Sequence, residues 1–307
     1  MPRGYEEILR HARKIKDWGT RISKISRSNP HVLIEYLREK WGFITTYLYE
    51  DLPIDYEKIS KKLVLANIIA ERYVLRKYKN LWKHLTIAIV GLSGGHKTTY
   101  AVLSYYGALK LLGYNDEDAY SIISKYTFFD ATSFVKTTKY IVDNKLWVPA
   151  LIVDDVGVQI NKYWIFLGET YWVYLFSVLD QLKDWTGCLI LTAKNKNSIP
   201  SKMREIIDLI IDAKEIDIEG VVMSVLSYYL PNEYELSRRR PVMIDIIPPI
   251  ARIPDKLWSK MIEVRYTTSK RRLELIDKVV EKLPEIEENR ISKIISKIEK
   301  QKEEGGK

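Results

Sequence analysis

The sequence has almost no cysteine and no apolar run long enough to cross a membrane. Its one cysteine, Cys188, lies in the apolar run CLILT and has no partner for an intrachain disulfide, which is typical of a cytosolic protein. The first residues, MPRGYEEILRHARK, lack the apolar core of a secretory signal. We therefore expect a cytoplasmic chain without a membrane span.

The sequence has fewer acidic than basic residues. The 40 Asp and Glu residues are outnumbered by 49 Lys and Arg residues, which leaves a formal net charge of +9 and favours a polyanionic partner such as DNA. The abundance of Ile, Tyr, Lys and Glu is typical of hyperthermophiles. A length of 307 residues predicts about two domains, and 46% hydrophobic residues suffice for a substantial core.

The segment LTIAIVGLSGGHKTT, residues 85–99, has the order strand, glycine loop, Lys-Thr and helix, the helix being predicted over 100–112. In such a phosphate cradle the loop N–H groups and the helix N-terminus face the phosphates. The lysine, Lys97, reaches the β and γ oxygens, and the Thr98 hydroxyl binds Mg²⁺. We expect ATP and Mg²⁺ as ligands. The predicted nucleotide-binding residues are Gly91, Ser93, Gly94, Gly95, His96, Lys97, Thr98 and Thr99.

One position departs from the pattern G-x-x-x-x-G-K-[ST]. His96 stands where the pattern has glycine, which allows the backbone to approach phosphate closely. We expect the imidazole to point away from the phosphates and Gly94 and Gly95 to supply the close approach.

Two carboxylates follow the next buried strand predicted downstream, Ala150–Val153. Ligands of open parallel sheets bind at the carboxyl ends of strands, where Asp154 and Asp155 stand. Asp154 is predicted to organise Mg²⁺, and Asp155 to polarise the attacking water as general base. The paired acids favour activation of water over the acceptor hydroxyl of a small-molecule kinase.

A third strand, predicted over 189–192, ends in the polar run Thr192-Ala193-Lys194-Asn195. A polar side chain at this tip can sense the γ-phosphate and hold the water. Either Thr192 or Asn195 fits, and the pattern does not decide between them. Arg204, in a predicted helix over 201–207, is a candidate arginine finger for a neighbouring subunit, the alternative being an ordinary surface arginine.

The flanking segments carry less specific signals. The pattern over 1–28 predicts a basic amphipathic helix, which would suit nucleic acid or an acidic protein partner. A long helix is predicted over 56–79. A hairpin is predicted at the sheet edge over 214–230, and a Pro-rich surface linker over 246–254. The expected organisation is a helical segment (1–80), an ATPase core (81–230) and a linker with a basic helical segment (231–307).

The motifs at 91–99, 151–155 and 189–195 together resemble the additional-strand class of P-loop NTPases, which includes AAA+ and RecA-like ATPases. Within that class, YTFFDATSFVK (126–136), the D-D-V-G run and LILTAKN look most like the DnaC/IstB helicase-loader group. The resemblance implies an α/β three-layer sandwich with a mostly parallel central sheet. Here an α-helical segment would precede it and a basic helical tail would follow.

The same resemblance implies an ATPase that engages DNA or a DNA-bound partner, often as a homo-oligomer, in replication, transposition or mobile-element maintenance. Two alternatives remain. The predicted hairpin is similar to that of FtsK/HerA-type DNA translocases and viral packaging ATPases. The histidine at position 96 favours a nucleotide-gated assembly protein with little turnover.

Overall fold

The structure is a computed structural model that describes residues 5–25, 55–79, 84–92, 96–156, 177–218, 221–234, 241–247, 253–270 and 274. The chain divides into two compact units, Met1–Met261 and Ile262–Lys307. In the described ranges, no helix has the length and apolar character needed to cross a membrane.

A seven-stranded sheet forms the centre of the first unit. Its strands are β1 (Leu85–Val90), β2 (Thr127–Phe128), β3 (Val148–Val153), β4 (Thr186–Ala193), β5 (Leu209–Ile218), β6 (Val221–Tyr229) and β7 (Met243–Ile247). The strand order is β2-β3-β4-β1-β5-β6-β7. The pairs from β2 to β5 are parallel, and β6 and β7 are antiparallel additions. An additional strand, β4, therefore separates β1 from β3, as the motifs predicted.

The helices are α1 (Tyr5–Ile25), α2 (Tyr56–Lys61), α3 (Val64–Lys79), α4 (Lys97–Leu111), α5 (Asp116–Lys125), α6 (Ala131–Asp143), α7 (177–182), α8 (Ser201–Glu205), α9 (Pro231–Tyr234) and α10 (255–270). Three of them begin with side-chain caps, since Asp55 accepts from the Lys58 N–H, Asn115 from the Asp118 N–H and Asp130 from the Ser133 N–H. In α1, the apolar stripe predicted over 1–28 buries Ala12 and Ile15.

The core lies on the central strands, and their composition explains why. All six residues of β3 and all eight of β4 are buried, because helices cover the parallel strands. Ten of the fifteen residues of α4 are buried as well, since it packs on the sheet and beneath α2 and α3. The predicted P-loop NTPase fold, an α/β sandwich with a mostly parallel central sheet, is confirmed.

Two predicted elements need correction. The helix predicted over 56–79 is broken into α2 and α3, because the Val64 N–H donates to the Asp245 carboxylate of β7 at 2.6 Å. The surface linker predicted over 246–254 is wrong at its start. Ile246 and Ile247 belong to β7 and are buried, because antiparallel pairing with β6 extends the sheet.

Several predictions fall outside the described residues. These are Ser93, Gly94 and Gly95 of the predicted phosphate loop, residues 1–4 and 26–28 of the basic helix predicted over 1–28, and the basic helical segment beyond residue 270 apart from residue 274. The division at residues 80 and 230 stays a prediction.

Candidate active site

The phosphate loop begins at Gly91, directly after β1. A Cβ at this position would lie 2.4 Å from the Ala213 carbonyl oxygen of β5, and its φ of +157° also disfavours a side chain. Glycine is therefore required because β5 runs against the loop. The next loop residues predicted to bind nucleotide, Ser93, Gly94 and Gly95, lie outside the described residues.

His96 ends the loop in a left-handed conformation, with φ 53° and ψ 20°. Its carbonyl accepts the Tyr100 N–H at 2.7 Å, so it is the N-cap residue of α4. A positive φ explains why glycine is the usual residue at this position. The His96 Nε2 lies 3.9 Å from the Glu215 Oε1 of β5. That the imidazole avoids the phosphates remains a prediction.

Lys97 is the first residue of α4 and folds back over the loop. Its Nζ donates to the Leu92 carbonyl at 2.7 Å. Burial lowers the pKa of the Lys97 ammonium, and the charges of Asp154 and Asp155 oppose that shift. The first turn of α4 contains no acidic residue, so its N-terminal dipole and Lys97 act together on an anion.

Asp154 joins three elements of the site. Its Oδ1 accepts the Thr98 hydroxyl of α4 at 2.6 Å and the Thr192 hydroxyl of β4 at 2.8 Å. The side chain is buried, with 5% of the residue exposed, and follows the last residue of β3. The structure thus brings together the predicted metal residues Thr98 and Asp154.

The two candidates for the polar strand end differ sharply in position. Thr192 is buried in β4, and its Oγ1 also accepts the Asp155 N–H at 2.8 Å. Asn195 lies beyond the strand, where its Oδ1 accepts the Ser198 N–H and caps a short 3₁₀ turn. Thr192 is therefore the polar residue that contacts both carboxylate positions, while Asn195 is exposed and turned to its own loop.

Asp155 and Arg204 are the remaining two predicted catalytic residues. Asp155 is half-buried and takes a left-handed conformation, φ 49°, in the turn after β3. The Thr192 hydroxyl accepts the Asp155 N–H, and this hydrogen bond fixes the Asp155 backbone beside Asp154. Arg204 contacts Asn197 at 3.4 Å within its own segment. Its role as an arginine finger stays a prediction.

The oxygen donors of the site fit Mg²⁺. Mg²⁺ prefers one or two protein oxygens supplemented by phosphate oxygens and water, and the Thr98 hydroxyl with the Asp154 carboxylate supplies such a pair. Within the described ranges, no group of three or more His, Cys, Asp or Glu residues could form an all-protein cage.

Comparisons with known proteins give limited matches. No protein-family model matches the chain. The chain is 25% identical over 117 residues to the uncharacterized protein B-251 of Sulfolobus spindle-shape virus 1, a match that covers 38% of this chain and 46% of the viral protein. A crystal structure of the flagellar accessory protein FlaH from Methanocaldococcus jannaschii has 13% sequence identity and a TM-score of 0.31. That superposition covers 54% of this chain and 90% of FlaH.

Proposed function

We propose that this protein is a Mg²⁺-dependent ATPase that acts on DNA or on a DNA-bound partner, in the manner of a helicase loader of a replicating or mobile element. The observation that carries the proposal is that one oxygen of Asp154 accepts hydrogen bonds from two hydroxyl groups. Thr98 comes from the phosphate-loop helix and Thr192 from the strand between β1 and β3. A strand-end carboxylate so joined to a phosphate loop is the arrangement that hydrolysis of a nucleoside triphosphate requires.

Binding of the triphosphate follows from groups already in position. The Lys97 ammonium exchanges the Leu92 carbonyl for β- and γ-phosphate oxygens, and the N-terminus of α4 faces the same charge. Thr98 and Asp154 would hold Mg²⁺, which when bound would supply positive charge to the transferring phosphoryl group.

Hydrolysis then needs a base beside the γ-phosphate. Water attacks the γ-phosphorus, its proton passes to the Asp155 carboxylate, and the bond to the β–γ bridging oxygen breaks to leave ADP and phosphate. Asp154 accepts hydrogen bonds from the Thr98 and Thr192 hydroxyls through the same oxygen, so we assign it to the metal and not to the water. Asp155 supplies the second carboxylate, and its backbone N–H donates to the Thr192 hydroxyl that also contacts Asp154.

A DNA translocase or viral packaging ATPase is the second candidate, favoured by the long β5–β6 hairpin, beside which β7 forms the sheet edge. The hairpin β5–β6 pairs through Ile218 and Val221, well past Asp212, which pairs with the last residue of β1. Six residues of β5 thus continue about 20 Å beyond the end of β1. The viral origin of one relative supports the same setting.

The test is phosphate release by the purified full chain with no DNA, with single-stranded DNA and with duplex DNA. Lys97→Ala and Asp155→Asn are measured beside it. We expect turnover that depends on both residues and rises with DNA. Stimulation by a single strand favours the loader, and stimulation that grows with duplex length favours the translocase.

Wild-type release no faster than that of Lys97→Ala under all three conditions would refute the ATPase. Turnover that ignores DNA would refute its action on DNA directly, and would leave a DNA-bound protein as the partner.

A further inference from the structure

A groove lies between α1, the C-terminal half of α3 and the end of α4, and its volume is about 840 Å³. Five cations line it, with Glu7 as the one carboxylate among its lining residues. The cations are Arg10, Lys14, Lys61, Lys77 and Lys110. We propose that this α1–α3 groove binds single-stranded nucleic acid, with the phosphates on its cations and bases against its tyrosines.

The groove continues along α1 as a track. A second cavity of about 330 Å³ shares Arg10 and Lys14 with it and extends past Arg13 and the carboxylate of Asp17 to Trp18 and Arg21. From Glu7 to Arg21 the track runs about 21 Å along the helix. A chain of phosphates matches this elongated shape better than a single small anion does.

Ion pairing leaves the positive charge concentrated on α1 and α3. Lys61 and Lys110 both pair with Glu57, and the carboxylate of Asp116 lies 2.9 Å from the Lys110 Nζ. Within the described residues, by contrast, Arg10, Lys14 and Lys77 make no ion pair with a carboxylate. These three therefore dominate the attraction for an anion.

Aromatic rings lie among these cations. The Lys77 ammonium stands over the rings of Tyr73 and Tyr78, and Lys14 stands over Trp18. Tyr78 is 40% exposed at the groove, and Tyr114 lines it half-buried. Ring faces inside a concave surface reach bases only when the bases are unstacked, which favours a single strand over a duplex.

The site lies at the end of α4 opposite to the phosphate loop. Lys97 begins this helix and Leu111 ends it, about 21 Å away. Leu111 and Lys110 line the groove, so one rigid helix contacts both sites. The inference rests on the proposed function in so far as that function needs a nucleic-acid site.

The experiment measures fluorescence anisotropy of a labelled oligothymidine and of a duplex of equal length, with the full chain at several salt concentrations. The test variant is Arg10→Gln with Lys14→Gln. Its matched control is Lys136→Gln with Lys139→Gln, two exposed lysines of α6 outside the groove. Both double variants remove two positive charges. Tyr78→Leu tests stacking separately, and circular dichroism checks that each variant is folded.

Wild type should bind the single strand more tightly than the duplex. The Arg10/Lys14 variant should bind about tenfold more weakly, with a salt slope shallower by about 1.4, because two phosphate contacts are lost. Tyr78→Leu should weaken binding about fivefold with an unchanged salt slope. The control should bind as wild type does.

No binding of a single strand, tighter binding of the duplex, or equal losses in the test and control variants would each overturn the inference. Basal phosphate release, measured in the same preparations without DNA, separates this result from the fate of the ATPase. A groove variant that hydrolyses ATP normally and still binds the strand normally refutes the groove alone. Loss of Lys97-dependent release refutes the ATPase whatever the groove binds.

Discussion

Thr192 carries more of the site than its position in the sequence suggests. Its hydroxyl donates to Asp154 and accepts from the Asp155 N–H, so it fixes both carboxylate positions at once. A buried hydroxyl with both roles filled is costly to remove, since the Asp155 N–H then loses this partner and the Asp154 carboxylate loses one of its two hydroxyl donors.

Substitutions of Thr192 and of Asn195 should therefore have different effects on phosphate release. Thr192→Val keeps the shape but removes the hydroxyl, and we expect phosphate release to fall at least about tenfold. Asn195→Ala removes only a loop cap and should leave release within about twofold of wild type. Steady-state phosphate release at saturating ATP checks both variants. Equal losses in the two would contradict the assignment of Thr192.

His96 allows a second comparison, because its φ of 53° costs an L-residue about 1 kcal/mol. His96→Gly removes that strain and should bind a fluorescent ATP analogue at least as tightly as wild type does. His96→Val places a β-branched residue in the same conformation, and its affinity should fall about tenfold. Titration of the analogue checks both, and weaker binding by the glycine variant would show that the imidazole itself contacts the nucleotide.

The residues predicted most readily are those whose partners lie close in sequence or at a motif spacing. Lys97 and Thr98 belong to one turn of α4, and Asp154 follows a strand whose apolar run marks its end. The choice between Thr192 and Asn195 depended on the register of β4 against β1, where Thr192 lies opposite Ile89. No local pattern contains that register, so the sequence left it open.

Among the elements, β7 holds the helical layer to the phosphate-loop helix through one buried carboxylate. Asp245 accepts the Val64 N–H of α3 and the Tyr100 hydroxyl of α4, and the hydroxyls of Tyr100 and Tyr228 are hydrogen-bonded to each other. Burial raises the pKa of the Tyr100 hydroxyl well above its ordinary range, so it stays protonated and donates. The helix break before Val64 leaves its N–H outside the helical hydrogen bonds, where it donates to Asp245.

Asp245→Ala should lower the free energy of unfolding by about 3 kcal/mol, because the Val64 N–H and the Tyr100 hydroxyl lose a buried acceptor. The matched control is Asp180→Ala, which removes an exposed carboxylate paired with Lys183 and should change stability by less than about 0.5 kcal/mol. Urea unfolding followed by circular dichroism measures both, and similar values for the two variants would contradict a structural role for Asp245.

His84, the residue before β1, makes stability depend on pH. Its Nδ1 lies 2.8 Å from the Thr186 Oγ1 of β4, and burial lowers its pKa to about 4, which nearby Arg76 and Lys183 reinforce. The unfolded chain binds this proton near pH 6.5, so stability is full above that pH and falls as pH drops towards 4.

Between about pH 7.5 and about pH 4.5, the free energy of unfolding should fall by about 2.5 kcal/mol because His84 stays neutral in the folded protein. His84→Asn keeps a polar group beside Thr186 but cannot take up the proton. The acid loss of this variant should be smaller than that of wild type by that amount. Urea unfolding at both pH values provides the comparison, and an equal acid loss in the two proteins would refute the assignment.

The contrast between local patterns and contacts distant in sequence also explains which elements could be predicted. β1, β3 and β4 are continuous apolar runs, as buried parallel strands must be, so their positions followed from composition. The break between α2 and α3 and the strand β7 arise from contacts between residues 64 and 245. Apolar periodicity continues across the break, and the prolines after Ile247 favoured a linker.

At the scale of the whole molecule, α4 connects the candidate active site with the α1–α3 groove. Its first turn carries Lys97 and Thr98, its middle carries Gly107 packed against α2, and its end lines the groove. An ATPase that responds to nucleic acid needs energetic coupling between two such sites, and a packed helix that contacts both is an element that can carry it.

Asp155→Asn tests the central claim most directly, with nucleotide binding and phosphate release measured on the same preparation. The change keeps the size of the side chain and removes its ability to accept a proton. The variant should bind the fluorescent ATP analogue with Mg²⁺ as tightly as wild type does, while its phosphate release falls at least about a hundredfold. Release at the wild-type rate, with nucleotide bound equally well, would contradict the assignment of Asp155 as the base.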